Sequence, residues 1–151
     1  MIEYLGSDMR RINHALKVYA FAKTLSGELP DRERETLLLA AILHDIGIRN
    51  AELKYNSSAG EYQELEGPPV ARELLEAEGV EGAIVDRVCF LVGNHHSYTK
   101  IDGTDFQMLV EADSLVNFYE DHLPSGAVRL LKEKYFKTQA GIRCVLNIYG
   151  V

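Results

Sequence analysis

The chain is short of cysteine and of long apolar runs, and both shortages restrict the class of protein. Its only cysteines, Cys89 and Cys144, lie in apolar, helix-like segments. We therefore expect two reduced thiols rather than a disulfide or a pair of metal ligands. No segment is long enough to cross a bilayer, and the N-terminus has neither the apolar stretch nor the cleavage site of a signal peptide. These features predict a cytoplasmic protein that does not enter membranes.

Basic residues are also fewer than acidic ones. Sixteen lysines and arginines stand against 23 aspartates and glutamates, which gives a formal net charge of −7. Such a balance argues against non-specific binding to nucleic acid or to an anionic membrane. It does not exclude a small phosphorylated ligand, because a local basic pocket or a metal ion can hold one inside an acidic protein.

Alternation of apolar and polar residues is essentially absent, so the sequence predicts an all-α fold. With 151 residues the chain is expected to form a single domain over residues 1–151, with a core of about 10–120 and C-terminal helices over 125–149. Helix-start and helix-stop residues predict about six to seven helices. They cover about residues 8–26, 31–45, 68–79, 81–96 and 105–121, followed by one helix that begins at Pro124-Ser125 and one around 142–148.

One stretch, from Arg49 to Gly67, is predicted to be a long loop with at most a short turn of helix. It contains the sequence Asn56-Ser57-Ser58-Ala59-Gly60, whose residues favour turns. A loop of this length in a compact domain is more often functional than not.

The residues that point most directly to chemistry are His44 and Asp45. They end the apolar segment Leu37–Leu43. Burying an imidazole or a carboxylate costs several kcal/mol unless the group is paired or bound to a metal. Adjacent residues in mid-helix point about 100° apart, but at a helix end the backbone can bring both to one ion. The doublet is therefore a candidate metal site.

Further histidines and a carboxylate occur on other predicted helices. His14 borders the apolar stripe of the first helix, and Asp113 interrupts the apolar fifth helix. Taken alone, His14 could be an ordinary boundary histidine, and His95-His96 could be a solvated helix end. Together with the doublet, His14 and Asp113 predict a mixed nitrogen and oxygen site that leaves positions open for water and substrate.

The order and context of these residues resemble the HD-domain metal-dependent phosphohydrolases over about residues 10–119. Four segments carry the resemblance: Leu39–Gly47, Glu66–Arg72, Asn94–Ser97 and Glu111–Leu115. The resemblance implies a divalent ion (Zn, Mn, Fe, Co, Ni or Mg) held by His14, His44, Asp45 and Asp113.

The chain departs from the family pattern at two places. Members with two ions usually carry another histidine just before the Glu-Gly pair, where this chain reads Tyr62-Gln63-Glu64-Leu65. We therefore favour one ion, with His95 or His96 contacting the ligands or the phosphate, while a two-ion site that uses His95, His96 and Glu64 stays open. The stretch Ile46–Arg49 lacks the catalytic glutamate of the nucleotidase branch.

The resemblance implies hydrolysis of a small phosphorylated substrate, such as a nucleotide or another phosphomonoester. Asp45 would orient the attacking water and His95 or His96 would protonate the leaving group, while the 49–67 stretch would close over the substrate. Two other classes stay open: a metal-containing ligand-binding or regulatory domain without turnover, and a domain used for protein contacts. The late helices would complete the core or form a homodimer face. Candidate phosphate contacts are Arg10, Arg11, Arg49, Lys54 and Lys100.

Overall fold

The computed structural model describes residues 1–151 and contains helices but no strands, which confirms the all-α class. Eight helices have eight or more residues, which is more than the six to seven expected. A four-residue turn of helix precedes them, and a short 3-10 turn covers Tyr98–Lys100. The α-helices are α1 (Ile2–Leu5), α2 (Met9–Leu25), α3 (Asp31–Leu43), α4 (Ile48–Tyr55), α5 (Gly60–Ala77), α6 (Gly82–Val92), α7 (Thr104–Glu120), α8 (Ser125–Tyr135) and α9 (Gln139–Tyr149).

Helix α3 lies at the centre of the domain, where it contacts α2, α6 and α7. Its residues Leu37, Ala40 and Ala41 are fully buried, as are Val18 of α2 and Leu109 of α7. Burial of this apolar surface is the main favourable contribution to folding. No helix combines the length and the apolarity that crossing a membrane would require.

Several helix ends follow from the capping residues. The Asp8 side chain accepts a hydrogen bond from the Arg11 backbone N–H at 3.1 Å, so α2 begins where the sequence predicts. Helix α6, however, ends at Val92, before the predicted end at His95-His96. Both histidines therefore lie in the turn that follows α6.

The prediction of a long loop over residues 49–67 is wrong. Helix α4 occupies its first part, α5 begins at Gly60, and only residues 56–59 separate the two helices. Pro68 and Pro69 lie inside α5, although the sequence predicts a helix that starts there. The prolines remove two backbone donors, but the buried face of α5 continues across them at helical spacing through Gln63, Glu66-Gly67 and Val70-Ala71.

The C-terminal helices complete the core. Helix α9 contacts α7 and α2, and its Val145 is fully buried. Leu146 and Ile148 on the same helix are about half exposed, at 47% and 51%. A homodimer face therefore stays a prediction. Cys89 and Cys144 are unpaired, as expected.

Candidate metal centre

His44 and Asp45 lie in the turn that ends α3. The helix ends at Leu43, and the Ile46 N–H donates to the Leu43 carbonyl at 2.9 Å, which tightens the last turn. This geometry brings His44 Nε2 to 3.5 Å from Asp45 Oδ2. The two side chains therefore converge on one point, as the position of the doublet at a helix end predicts.

Helices α2 and α7 bring His14 and Asp113 to the same point. His14 Nε2 lies 3.2 Å from His44 Nε2 and 3.2 Å from Asp113 Oδ1. It lies 3.6 Å from Asp45 Oδ2. Residues that are up to a hundred positions apart thus form one cluster with two nitrogens and two carboxylates.

The outer nitrogens of three imidazoles are held by acceptor atoms. The Nδ1 atom of His14 lies 2.9 Å from Glu120 Oε2. The Nδ1 atoms of His44 and His95 each lie 2.9 Å from a backbone carbonyl, that of Ala41 and that of Val92. Each Nδ1 therefore carries a proton, and Nε2 faces the cluster, where it can bind a metal ion or a second proton. Metal-binding histidines are oriented by partners of this kind.

The Nε2 atoms, which point into the cluster, are placed to bind a cation. Two Nε2 atoms at 3.2 Å would repel each other if both presented only lone pairs, so a proton or a metal ion must lie between them. His95 Nε2 is buried and has no hydrogen-bond partner, although it lies 3.4 Å from Asp45 Oδ1. The donor set of imidazole and carboxylate matches the preferences of Zn and of the other first-row divalent ions.

The same charges shift the pKa values within the cluster. Burial alone would lower the pKa of His44, but the charges of Asp45 and Asp113 outweigh burial and raise it to about 9. Burial would lower the pKa of His14 as well, but the hydrogen bond to Asp113 outweighs burial and raises this pKa. Burial would raise the pKa of both carboxyls, but the histidines hold each of them well below its usual range. Without a metal ion, protons therefore balance the two carboxylates.

Asp45 lies between two overlapping groups of donors. One group joins it to His14 and His44, and the other joins it to His95 and His96. Within each group, the donor atoms lie within 4.8 Å of one another. Burial and the neighbouring His95 lower the pKa of His96 to about 4, so that its imidazole is neutral near pH 7.

Glu64, the other candidate ligand for a second ion, is already hydrogen-bonded to the turn that follows α6. Its Oε1 accepts the His96 backbone N–H at 3.0 Å, and its Oε2 accepts the Ser97 hydroxyl at 3.1 Å. It thus fixes the segment that carries His96. The neighbouring Gln63 donates from Nε2 to the Ser58 carbonyl at 2.6 Å.

The Glu66-Gly67 pair is explained by packing. Glu66 accepts hydrogen bonds from Lys54 and Tyr55, which joins α5 to α4. A Cβ atom on Gly67 would lie 2.6 Å from Val92 Cγ1, and one on Gly47 would lie 2.5 Å from the Gly67 nitrogen. Gly47 therefore allows the turn after His44-Asp45 to lie directly against α5, and Gly67 allows α5 to lie close to α6.

A cavity of about 270 Å³ adjoins His14 and Asp45. Arg10 and Arg11 line it, but Arg11 is paired with Asp8 at 2.7 Å and with Glu52 at 2.6 Å. The other basic candidates do not line it. Arg49 donates to the Tyr4 carbonyl, Lys54 pairs with Glu66, and Lys100 donates to Asn94.

Two residues of the site were missed by the sequence analysis. Glu120 contacts His14, and Asn117 donates to Asp113 Oδ1 at 2.9 Å. Asn117 lies four positions and Glu120 seven positions after Asp113, on the same face of α7, so helical spacing could have indicated them.

In a comparison with protein families, the family model of the HD domain matches residues 11–117. No curated protein and no solved structure matches the chain. The matched range contains His14, the His44-Asp45 turn and Asp113. The chain therefore belongs to the HD-domain superfamily of metal-dependent phosphohydrolases.

Proposed function

We propose that the protein is a metal-dependent phosphohydrolase that acts on a small phosphorylated substrate, either a nucleotide or another phosphomonoester. The main support is the orientation of His14, His44 and His95, whose Nδ1 atoms are each 2.9 Å from an acceptor oxygen. All three Nε2 atoms face Asp45, and those of His14 and His44 also face Asp113, beside a cavity. Such an arrangement suits a divalent ion with access to a ligand.

In this proposal His14, His44, Asp45 and Asp113 hold the ion. When bound, a divalent ion makes water a stronger nucleophile and balances the charge of a phosphoryl group. We propose one ion per chain, because Glu64 already accepts two hydrogen bonds from the turn that carries His96. A second ion at Asp45, His95 and His96 is the competing arrangement.

The residues around the ion would act as follows. Asp45 orients the attacking water, because it has one oxygen on each side of the cluster. In this role His95 would carry a proton on both nitrogens, with Nδ1 bound to the Val92 carbonyl, and would donate the Nε2 proton to the leaving oxygen. Arg10 contacts the phosphate, because it lines the cavity without the ion pairs that hold Arg11.

The test is phosphate release from a panel of nucleotides and sugar phosphates, with Mn, Co, Ni, Zn or Mg added. We expect release with at least one metal, and we expect Asp113→Ala to lose both bound metal and activity. Glu61→Gln, which changes an exposed carboxylate that forms no hydrogen bond or ion pair with its side chain, should retain both. Metal analysis of the purified protein should give about one ion per chain, whereas two would support the competing arrangement.

A ligand-binding or regulatory role without turnover is the alternative. It would hold if the wild-type protein binds metal and a phosphorylated ligand but releases no phosphate with any metal. Equal metal content in Asp113→Ala and the wild type would instead mean that the ion lies elsewhere.

A further inference from the structure

A second, larger cavity lies beside His96, on the side of the domain formed by the end of α8. Its volume is about 690 Å³, and Tyr98, Lys134, Tyr135 and Lys137 line it together with His96. None of its lining residues is a carboxylate, although the chain has a net charge of −7. The smaller cavity at Arg10 has five carboxylates in its lining. An anionic group would therefore meet much less repulsion on the His96 side.

One wall of the larger cavity is fixed by two side chains of α7, the buried Glu111 and the half-buried Gln107. Glu111 is fully buried and accepts the Lys137 backbone N–H at 2.6 Å and the Thr138 backbone N–H at 2.9 Å. Gln107 donates to the Tyr135 carbonyl at 2.7 Å. These bonds place Tyr135 and Lys137 at the edge of the cavity.

The opposite wall is fixed by Glu64, which holds the backbone of His96 and the hydroxyl of Ser97. The ring of His96 also lies against Gly60, where a Cβ atom would be 2.7 Å from His96 Cδ2. Both walls therefore have a defined position before any ligand binds, which reduces the entropy cost of binding.

The groups on these walls suit a ligand that has both charge and a planar ring. Lys134 and Lys137 are exposed and make no ion pair with a carboxylate. The Lys134 ammonium lies 4.9 Å from the centre of the Tyr135 ring, and the Tyr98 and Tyr135 rings are 4.7 Å apart. Ammonium groups bind phosphate oxygens, and aromatic rings pack against nucleobases.

His96 connects this cavity to the metal centre, because it lines the cavity and also belongs to the donor group with Asp45 and His95. We propose that the cavity binds the non-reacting part of the substrate, and that this part carries a planar ring and further negative charge. A nucleoside di- or triphosphate has these groups. The proposal rests on the phosphohydrolase function, because only then is the ligand a substrate, but its binding can be measured without turnover.

The test is equilibrium dialysis of the metal-loaded chain of residues 1–151 with the β,γ-methylene analogue of ATP, which resists hydrolysis at its terminal phosphate. The double variant Lys134→Gln/Lys137→Gln should bind the analogue about 10-fold more weakly, because two ammonium contacts are lost. The matched control Lys23→Gln/Arg129→Gln removes the same charge from two exposed positions that do not line the cavity. It should change binding less than 2-fold.

A second variant tests the ring. Tyr135→Leu should weaken binding of the nucleotide analogue about 5-fold and leave binding of inorganic triphosphate unchanged, because stacking involves only the base. Circular dichroism melting would establish that each variant is folded.

The proposal is overturned if the wild type does not bind the analogue at millimolar concentration, if both lysine pairs have the same effect, or if Tyr135→Leu binds both ligands like the wild type. The phosphohydrolase function fails separately, if no phosphate is released although the analogue binds at this cavity. If phosphate is released and the cavity variants bind normally, only the cavity proposal is wrong.

Discussion

Glu120→Gln gives the sharpest test of how the metal centre is organised. Glu120 Oε2 lies 2.9 Å from His14 Nδ1, and its Oε1 lies 2.8 Å from Lys17 Nζ. Glutamine has the same shape, and its amide oxygen can still accept the His14 proton. The amide nitrogen would then face the Lys17 ammonium, so two donors would oppose each other, and the negative charge behind the imidazole would be lost.

The expected loss can be estimated from the role of such partners. Removing the acceptor behind a metal-binding histidine typically costs 10- to 100-fold in metal affinity. Because glutamine keeps one hydrogen bond, we expect the lower end, about 10-fold, or about 1.4 kcal/mol. With metal in excess, the stabilisation by bound metal falls by the same amount, and for a domain of this size the melting temperature should fall by about 3–6 °C.

Competition with a chromophoric chelator measures the affinity, and thermal melting with and without metal measures the linked stability. Glu61→Gln is the matched control, because Glu61 is exposed and forms no hydrogen bond with its side chain. Metal affinity of Glu120→Gln within 2-fold of the wild type would refute the idea that Glu120 orients His14 for an ion. A loss of stability without metal that equals the loss with metal would also refute it, since the residue would then act only on the fold.

Two further predictions concern the packing of Gly67 and the protons released by metal binding. Gly67→Ala should lower the melting temperature by about 3–10 °C, because a Cβ atom 2.6 Å from Val92 Cγ1 overpacks a buried contact. The control Gly126→Ala, whose new Cβ would have no atom within 4 Å, should melt within about 2 °C of the wild type. Equal melting temperatures of the two variants would contradict the close approach of Gly67 to Val92. Metal loading at pH 7 should release at least about one proton per ion, because the pKa of His44 is raised to about 9 and an ion requires the neutral imidazole. The apparent metal affinity should thus increase with pH and level off above about pH 9. Calorimetry in buffers of different ionisation enthalpy would measure the number of protons released. A metal affinity that is constant from pH 6.5 to 9 would contradict the prediction.

The sequence predicts most helix positions because the signals that define them are local. Asp8 caps α2, Pro30 precedes α3, and both effects act within one turn of helix. The error at α5 shows the limit of such signals. Pro68 resembles a helix start, but the packing of Gln63 and Gly67 against neighbouring elements continues the helix through it.

The candidate metal ligands could also be predicted from the sequence, since His44 and Asp113 interrupt segments that are otherwise apolar and buried. The residues that contact the cluster or its ligand from outside could not be predicted in this way. Glu64 looks like a potential ligand until the fold places it against His96, and Lys134 becomes part of a cavity only because α8 ends beside the turn after α6. These relations depend on the packing of distant helices rather than on the residues next to them.

The position of His14 and Asp113 has a consequence for the opening of the folded chain. They lie on α2 and α7, about a hundred positions apart, and the two helices pack against each other. An ion that bound both would act as a reversible cross-link between the two helices in the folded state, and the helices could separate only after the ion was released. The metal-loaded and metal-free forms would then differ in resistance to proteolysis as well as in chemistry.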